Sequence, residues 1–98
     1  MTHAPQDHIA HAVDALSAVF AHPDRAYGDC DALIALSDLS AIAALAGQLV
    51  GDYEGGLRRR AAVAPHLHQA RQHALALSRA LNVACGVLGW HETLEAAA

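Results

Sequence analysis

The chain has 98 residues, of which 54% are apolar and 4% aromatic, and its formal net charge is −4. A chain of this length predicts one small domain spanning residues 1–98, which buries roughly 60–65% of its unfolded surface. All six basic residues are Arg, and the acidic balance excludes a general electrostatic attraction to nucleic acid or to anionic lipid. We therefore expect neither nucleic acid nor a membrane as a partner.

The N-terminal sequence has no basic region followed by an apolar run, so it does not read as a signal peptide. Asp38 and Arg79 interrupt the two most apolar stretches, which argues against a membrane-spanning helix. Both observations predict a cytoplasmic protein.

Alanine makes up about a quarter of the chain, while β-branched residues are few and scattered. Alanine is the best helix former because its side chain loses no conformational entropy in a helix. The composition therefore predicts an all-α fold.

The first predicted helix covers about residues 8–21. Asp7 can cap its N-terminus, and Pro23 ends the pattern, because the residue before a proline disfavours the helical region. One side of this helix is apolar at helical spacing. The residues of that side are Ile9, Val13, Leu16 and Phe20.

The second predicted helix, about residues 31–54, combines an apolar stripe with a ladder of small residues. Gly55 and Gly56 favour an end there, since glycine is common just past a helix C-terminus. The stripe contains Leu36, Leu39, Ile42, Ala43, Ala46, Leu49, Val50, Tyr53 and Leu57. The ladder contains Ala43, Gly47, Gly51 and Gly55.

The third predicted helix begins at 58 or 65 and ends at about 90, since Pro65 is tolerated only in a first turn. Its apolar residues follow a heptad repeat and predict the side that packs in the core. These residues are Leu67, Ala70, Ala74, Leu77, Leu81, Ala84 and Leu88. Residues 80–90 are apolar nearly all round, which predicts contacts on more than one side.

Together these elements predict a short first helix packed on an antiparallel hairpin of two long helices, a three-helix up-down-up bundle. One end of the hairpin lacks a third helix, so we expect two hairpins to pair as a homodimer with a larger helical core. Small residues let helices approach closely and suggest where the partner packs. The predicted interface contains Ala43, Gly47, Val50, Gly51, Gly55, Leu57, Leu67 and Ala70.

Eight His residues are the most unusual feature of the composition. Two lie three apart on the first helix beside a carboxylate, and two lie seven apart on the third helix. Imidazole and carboxylate together suit Zn²⁺ or Ni²⁺. The candidate ligands are His8, His11, Asp14, His66 and His73. The alternative is that these His residues lie on the surface and only titrate.

The two cysteines form a second candidate pair. If the hairpin turns at residue 57 or 58, Cys30 and Cys85 lie at the same level and could form a disulfide, or a Cys-Cys-His-His cluster with His22 and His91 near the same end. The alternative is that both are free thiols acting as small apolar residues.

Nothing in the sequence places a Ser, a Cys or a pair of carboxylates in a pattern typical of catalysis. The sequence therefore predicts a non-enzymatic helical protein that acts through self-association and contacts with another protein. Two alternatives are a His-based metal-binding protein and a carrier of a small ligand bound between the first helix and the hairpin.

Overall fold

The computed structural model describes residues 4–23 and 31–97, with side chains described as far as His91. These residues form three α-helices, α1 (Pro5–Val19), α2 (Ala32–Leu57) and α3 (Ala64–Ala97), and they include no strand. The two long helices, α2 and α3, pack together. The predicted all-α fold with an antiparallel hairpin is thus confirmed, and the short first helix is present.

The chain divides into two compact units, Met1–Asp31 and Ala32–Ala98. The first unit contains α1 and the second contains the α2–α3 hairpin, and each unit is described by itself. The predicted single domain stays a prediction.

Helix α1 begins three residues earlier than predicted, with Pro5 in its first turn. Asp7 is not the residue before the helix but lies inside its first turn, where its carboxylate accepts a hydrogen bond of 3.2 Å from the Ala4 backbone N–H. A carboxylate at this position accepts a hydrogen bond from an otherwise unpaired amide, and the positive end of the helix dipole stabilises its negative charge. The helix ends at Val19, about two residues before the predicted end, and none of its residues is buried.

Helix α2 continues through Gly55 and Gly56 to Leu57, about three residues beyond the predicted end. A methyl group added at either glycine would meet no atom within 4 Å, so these two residues lie in open space. Both glycines lie inside the last turns of the helix, and they do not end it.

The connection between the long helices is the segment 58–63. The Arg60 N–H donates to the Leu57 carbonyl at 2.8 Å, and the Val63 N–H donates to the Arg60 carbonyl at 2.9 Å. Helix α3 starts at Ala64, with Pro65 in the first turn, which agrees with the later of the two predicted starts. It extends to Ala97, about seven residues beyond the predicted end.

The packing register shows that the hairpin turns near residue 61 and not at residue 57 or 58. Ser40 lies opposite Asn82, and Glu54 lies opposite His68. In an antiparallel hairpin, residues that lie opposite each other are equally far from the turn along the chain. Both pairs have their midpoint at residue 61. The predicted turn was too early because the glycines do not end α2.

The contact seam of α3 coincides only in part with the predicted apolar stripe: Ala74 of the stripe lies against Gly47, whereas Ser78 and not Leu77 faces α2. The α3 residues found in contact with α2 include His68, Arg71, Leu75, Ser78, Asn82, Cys85 and Gly89, again with heptad spacing. Their partners on α2 include Leu33, Ser40, Gly47, Gly51 and Glu54. Small and polar residues thus make close contacts between the helices, and half-buried leucines, among them Leu36, Leu67 and Leu81, accompany them.

Little apolar surface is buried in this hairpin. Among the described residues, Ala43 is the one buried hydrophobic residue, at 6% exposure. Ser40 and Ser78 are also buried, at 4% and 8%. Glycine, alanine and serine allow a close approach of two backbones, and among the described residues no large apolar side chain is fully buried.

Among the described helices, α2 is long and apolar enough to cross a membrane by length and composition. Its most apolar window has a mean hydropathy of 1.8, with 17% of the window buried. The same property is found in core helices of soluble proteins. The predicted absence of a membrane span and the cytoplasmic location stay predictions.

Candidate interaction surface

A buried polar cluster joins the two helices at mid-hairpin. The Ser40 hydroxyl lies 2.7 Å from Asn82 Oδ1, 3.0 Å from the Ser78 carbonyl and 3.1 Å from Ser78 Oγ. Ser40 has one hydroxyl proton, so it donates to one acceptor at a time, while the Ser78 hydroxyl can donate to Ser40 Oγ. The sequence pattern did not predict this cluster, because Ser78 and Asn82 lie one residue beyond the apolar residues Leu77 and Leu81.

A charged cluster lies nearer the turn. Arg71 Nε donates to Glu54 Oε2 at 2.9 Å, and His68 Nδ1 lies 3.2 Å from Glu54 Oε1 and 3.3 Å from Arg71 Nη2. One ring nitrogen holds either a proton or a lone pair, so His68 donates to Glu54 or accepts from Arg71 but does not do both. The cluster marks the register in which the two helices pack.

A shallow groove of about 420 Å³ lies beside the charged cluster. Its lining residues are Gly47, Gln48, Gly51, Asp52, Arg71 and Leu75. Two of them are glycines without side chains, and the groove is broadly open to solvent. Such a groove offers few convergent groups to hold a small ligand.

On both long helices, the exposed residues of the apolar heptad stripes lie one position before a residue of the contact seam. Without Ile42 and Leu49, which depart from the heptad spacing, the α2 stripe contains Leu36, Leu39, Ala43, Ala46, Val50, Tyr53 and Leu57, and the α3 stripe contains Leu67, Ala70, Ala74, Leu77, Leu81, Ala84 and Leu88. Two antiparallel helices are related by a twofold axis perpendicular to the plane that contains both helix axes. Residues that lie one position before the seam on either helix therefore face the same side of this plane.

Burial alternates along these two stripes. Every second stripe residue is buried or half-buried between the helices, as Ala43 and Leu81 are, and every other residue is exposed. Six exposed residues form a surface that we name the heptad face. Its residues are Leu39, Ala46 and Tyr53 on α2 and Ala70, Leu77 and Ala84 on α3. None of the fourteen stripe residues is charged.

Further exposed apolar residues lie on the outer sides of the hairpin, away from the seam. On α2 they include Ile42, Leu45 and Leu49, and on α3 they include Val83, Val87 and Trp90. The apolar character of residues 80–90 thus reaches solvent on a second side of α3.

The predicted interface residues fall into three groups. Ala43 and Gly47 are buried in the hairpin, and Gly51 packs beside Arg71 of the same chain. Val50, Leu57 and Leu67 are half-buried stripe residues, and Ala70 belongs to the heptad face. Gly55 lies in open space. The small-residue ladder therefore has an intrachain partner over much of its length, while the predicted intermolecular contact stays a prediction.

The predicted metal ligands lie on two helices of different units. His8, His11 and Asp14 are exposed on α1, and His66 and His73 are exposed on α3. Within the described part of the chain, no group of three or more His, Cys, Asp or Glu side chains is close enough to hold a metal ion. The Zn²⁺ or Ni²⁺ site therefore stays a prediction from the sequence.

Of the two cysteines, Cys30 lies outside the described residues. Cys85 is a half-buried free thiol whose sulfur lies 4.0 Å from the Leu33 carbonyl oxygen. The predicted thiol pair stays a prediction.

Comparison of the chain with protein-family models, with curated proteins and with solved structures gave no significant match.

Proposed function

We propose that this chain is a non-enzymatic helical protein that acts through self-association and through contacts with other proteins. The observation that carries the proposal is the imbalance of the hairpin: the residues buried between its helices are small, while many large apolar side chains face solvent. Leu77 is 54% exposed and Leu45 is 59% exposed, whereas Ser40 is 4% exposed.

Large exposed apolar surfaces on small proteins mark sites of interaction. The exposed large apolar residues of the hairpin include Ile34, Leu39, Ile42, Leu45, Leu49, Tyr53, Val63, Leu77, Val83, Val87 and Trp90. These side chains, spread over more than one side of the hairpin, together leave on the order of 1,000 Å² in contact with solvent, against the roughly 800 Å² that one partner contributes to a single stable interface. Burial of this surface in an assembly would supply the hydrophobic stabilisation that the seam alone lacks.

Sedimentation velocity over a hundredfold range of concentration, together with native mass spectrometry, tests the self-association. We expect a dimer or a larger assembly at micromolar concentration. A chain that stays a monomer throughout this range, with full helical circular dichroism, would contradict the proposed self-association.

A further inference from the structure

We infer that the heptad face binds a second copy of the hairpin, with a twofold axis parallel to the helices, so that α2 of one copy lies over α3 of the other. This inference rests on the proposed self-association. The surface and the orientation can be tested separately from the self-association itself.

The six residues of the heptad face form three layers that match in size. The register of the hairpin places Leu39 level with Ala84, Ala46 level with Leu77, and Tyr53 level with Ala70. Each layer thus combines one large side chain with one alanine, and the layers are seven residues apart. Such layers are what two hairpins need in order to interlock as a four-helix bundle.

The size pattern selects the orientation. With the axis parallel to the helices, Leu39 lies over Ala84 of the second copy and Leu77 lies over Ala46, so each large side chain meets a small one. With the axis perpendicular to the helices, the three layers overlap fully only when Leu77 meets Leu77 and Ala46 meets Ala46. In that arrangement the two Leu77 side chains clash, while the two Ala46 side chains leave a cavity beside them. Both effects are unfavourable in a packed core.

A second copy also fits the extent of the surface. The α2 stripe from residue 36 to residue 57 is about 33 Å long, whereas the 15 residues of α1 reach only about 22 Å. Leu39, Tyr53 and Leu77 are 41%, 50% and 54% exposed, and with the three exposed alanines beside them they form an apolar face of several hundred Å², the order of the roughly 800 Å² that each partner contributes to a stable interface. An uncharged surface also meets an identical copy without burying an unpaired charge.

Disulfide trapping between two differently tagged full-length chains tests this arrangement. The background carries Cys30→Ser and Cys85→Ala, so that each chain has one cysteine, introduced by Ala46→Cys in one chain and by Leu77→Cys in the other. Gln48→Cys and Gln72→Cys provide the control pair, since both residues are exposed on the same helices but outside the stripes. Circular dichroism and sedimentation establish that each variant is folded and associates.

We expect oxidation to give several-fold more of the mixed 46–77 disulfide than of the 46–46, the 77–77 or the 48–72 disulfide. Predominant 46–46 and 77–77 disulfides would overturn the parallel axis. Efficient trapping of the control pair, or no trapping in a dimeric protein, would overturn the heptad face as the interface while leaving self-association intact.

A protein that is monomeric in solution would overturn both proposals. If such a monomer floats with phosphatidylcholine vesicles, the apolar surface is covered by lipid. If it does not, the face is covered within the chain or stays open.

The salt dependence gives a second and independent readout. The parallel axis places the turns of both copies, each with Arg58, Arg59 and Arg60, at the same end of the assembly. Salt screens repulsion between exposed charges. We therefore expect the dissociation constant to fall as NaCl rises from about 50 to 500 mM, whereas a rise would contradict this orientation.

Discussion

Gly47 of α2 lies so close to Leu75 of α3 that a β-carbon on Gly47 would come within 3.2 Å of Leu75 Cδ2. The same β-carbon would lie 3.4 Å from the Ala74 methyl group. The hairpin therefore uses the missing side chain of Gly47 to bring its two helices together. The close approach also brings Ser40 within hydrogen-bonding distance of Ser78.

Replacing Gly47 with leucine should force the helices apart. We expect Gly47→Leu to lower the free energy of unfolding by about 1–3 kcal/mol, the usual cost of overpacking. Gly55→Leu is the matched control, because its β-carbon meets nothing within 4 Å and leucine is the better helix former. Urea unfolding followed by circular dichroism measures both. Equal losses for the two variants would show that Gly47 is not a packing site.

The Ser40 hydroxyl should contribute more to stability than the Asn82 amide does. Ser40→Ala removes every hydrogen bond of the cluster that involves Ser40, and we expect a loss of about 1 kcal/mol. Asn82→Ala should cost less, because the Ser40 hydroxyl can still donate to the Ser78 carbonyl at 3.0 Å. Thermal and urea unfolding compare the two variants, with exposed Ser37→Ala as the control. The reverse order of the two losses would contradict this assignment.

Glu54 and Arg71 should be only weakly coupled. Their side chains are 24% and 33% exposed, so solvent screens their attraction, and such pairs contribute about 0.2–1 kcal/mol. A double-mutant cycle with Glu54→Gln and Arg71→Met measures the coupling, since methionine retains part of the aliphatic stem that packs beside Gly51. We expect the coupling energy to decrease in 1 M NaCl. A coupling well above 1 kcal/mol would indicate that the pair becomes more buried in an assembly.

A charge on the heptad face should break the assembly, while a charge on the outer side of α3 should not. Leu77→Glu would bury an unpaired carboxylate in the proposed interface, so we expect at least a tenfold weaker association. Val83→Glu is the control, because Val83 is more exposed, at 67%, and lies on the same helix outside the stripe. Sedimentation equilibrium compares the two variants. A larger effect at Val83 would place the interface on the outer side.

The sequence by itself determined the all-α class, the three helices and the apolar stripes. Alanine-rich composition and the 3.6-residue period act locally, so they can be read without knowing what each helix contacts. The helix ends were less accurate. Gly55 and Gly56 predicted an end for α2, but the helix continues through them to Leu57.

Only the tertiary structure decided which residues of each helix face the intrachain partner. Seams shifted by one residue have the same heptad spacing, so the period alone cannot distinguish Leu77 from Ser78 as the contact residue. The choice follows from how closely two backbones can approach, and Gly47 opposite Leu75 permits a distance that larger residues would prevent. That same choice leaves Leu77 in solvent, and it is the reason why half of the predicted core stripe is exposed as the heptad face.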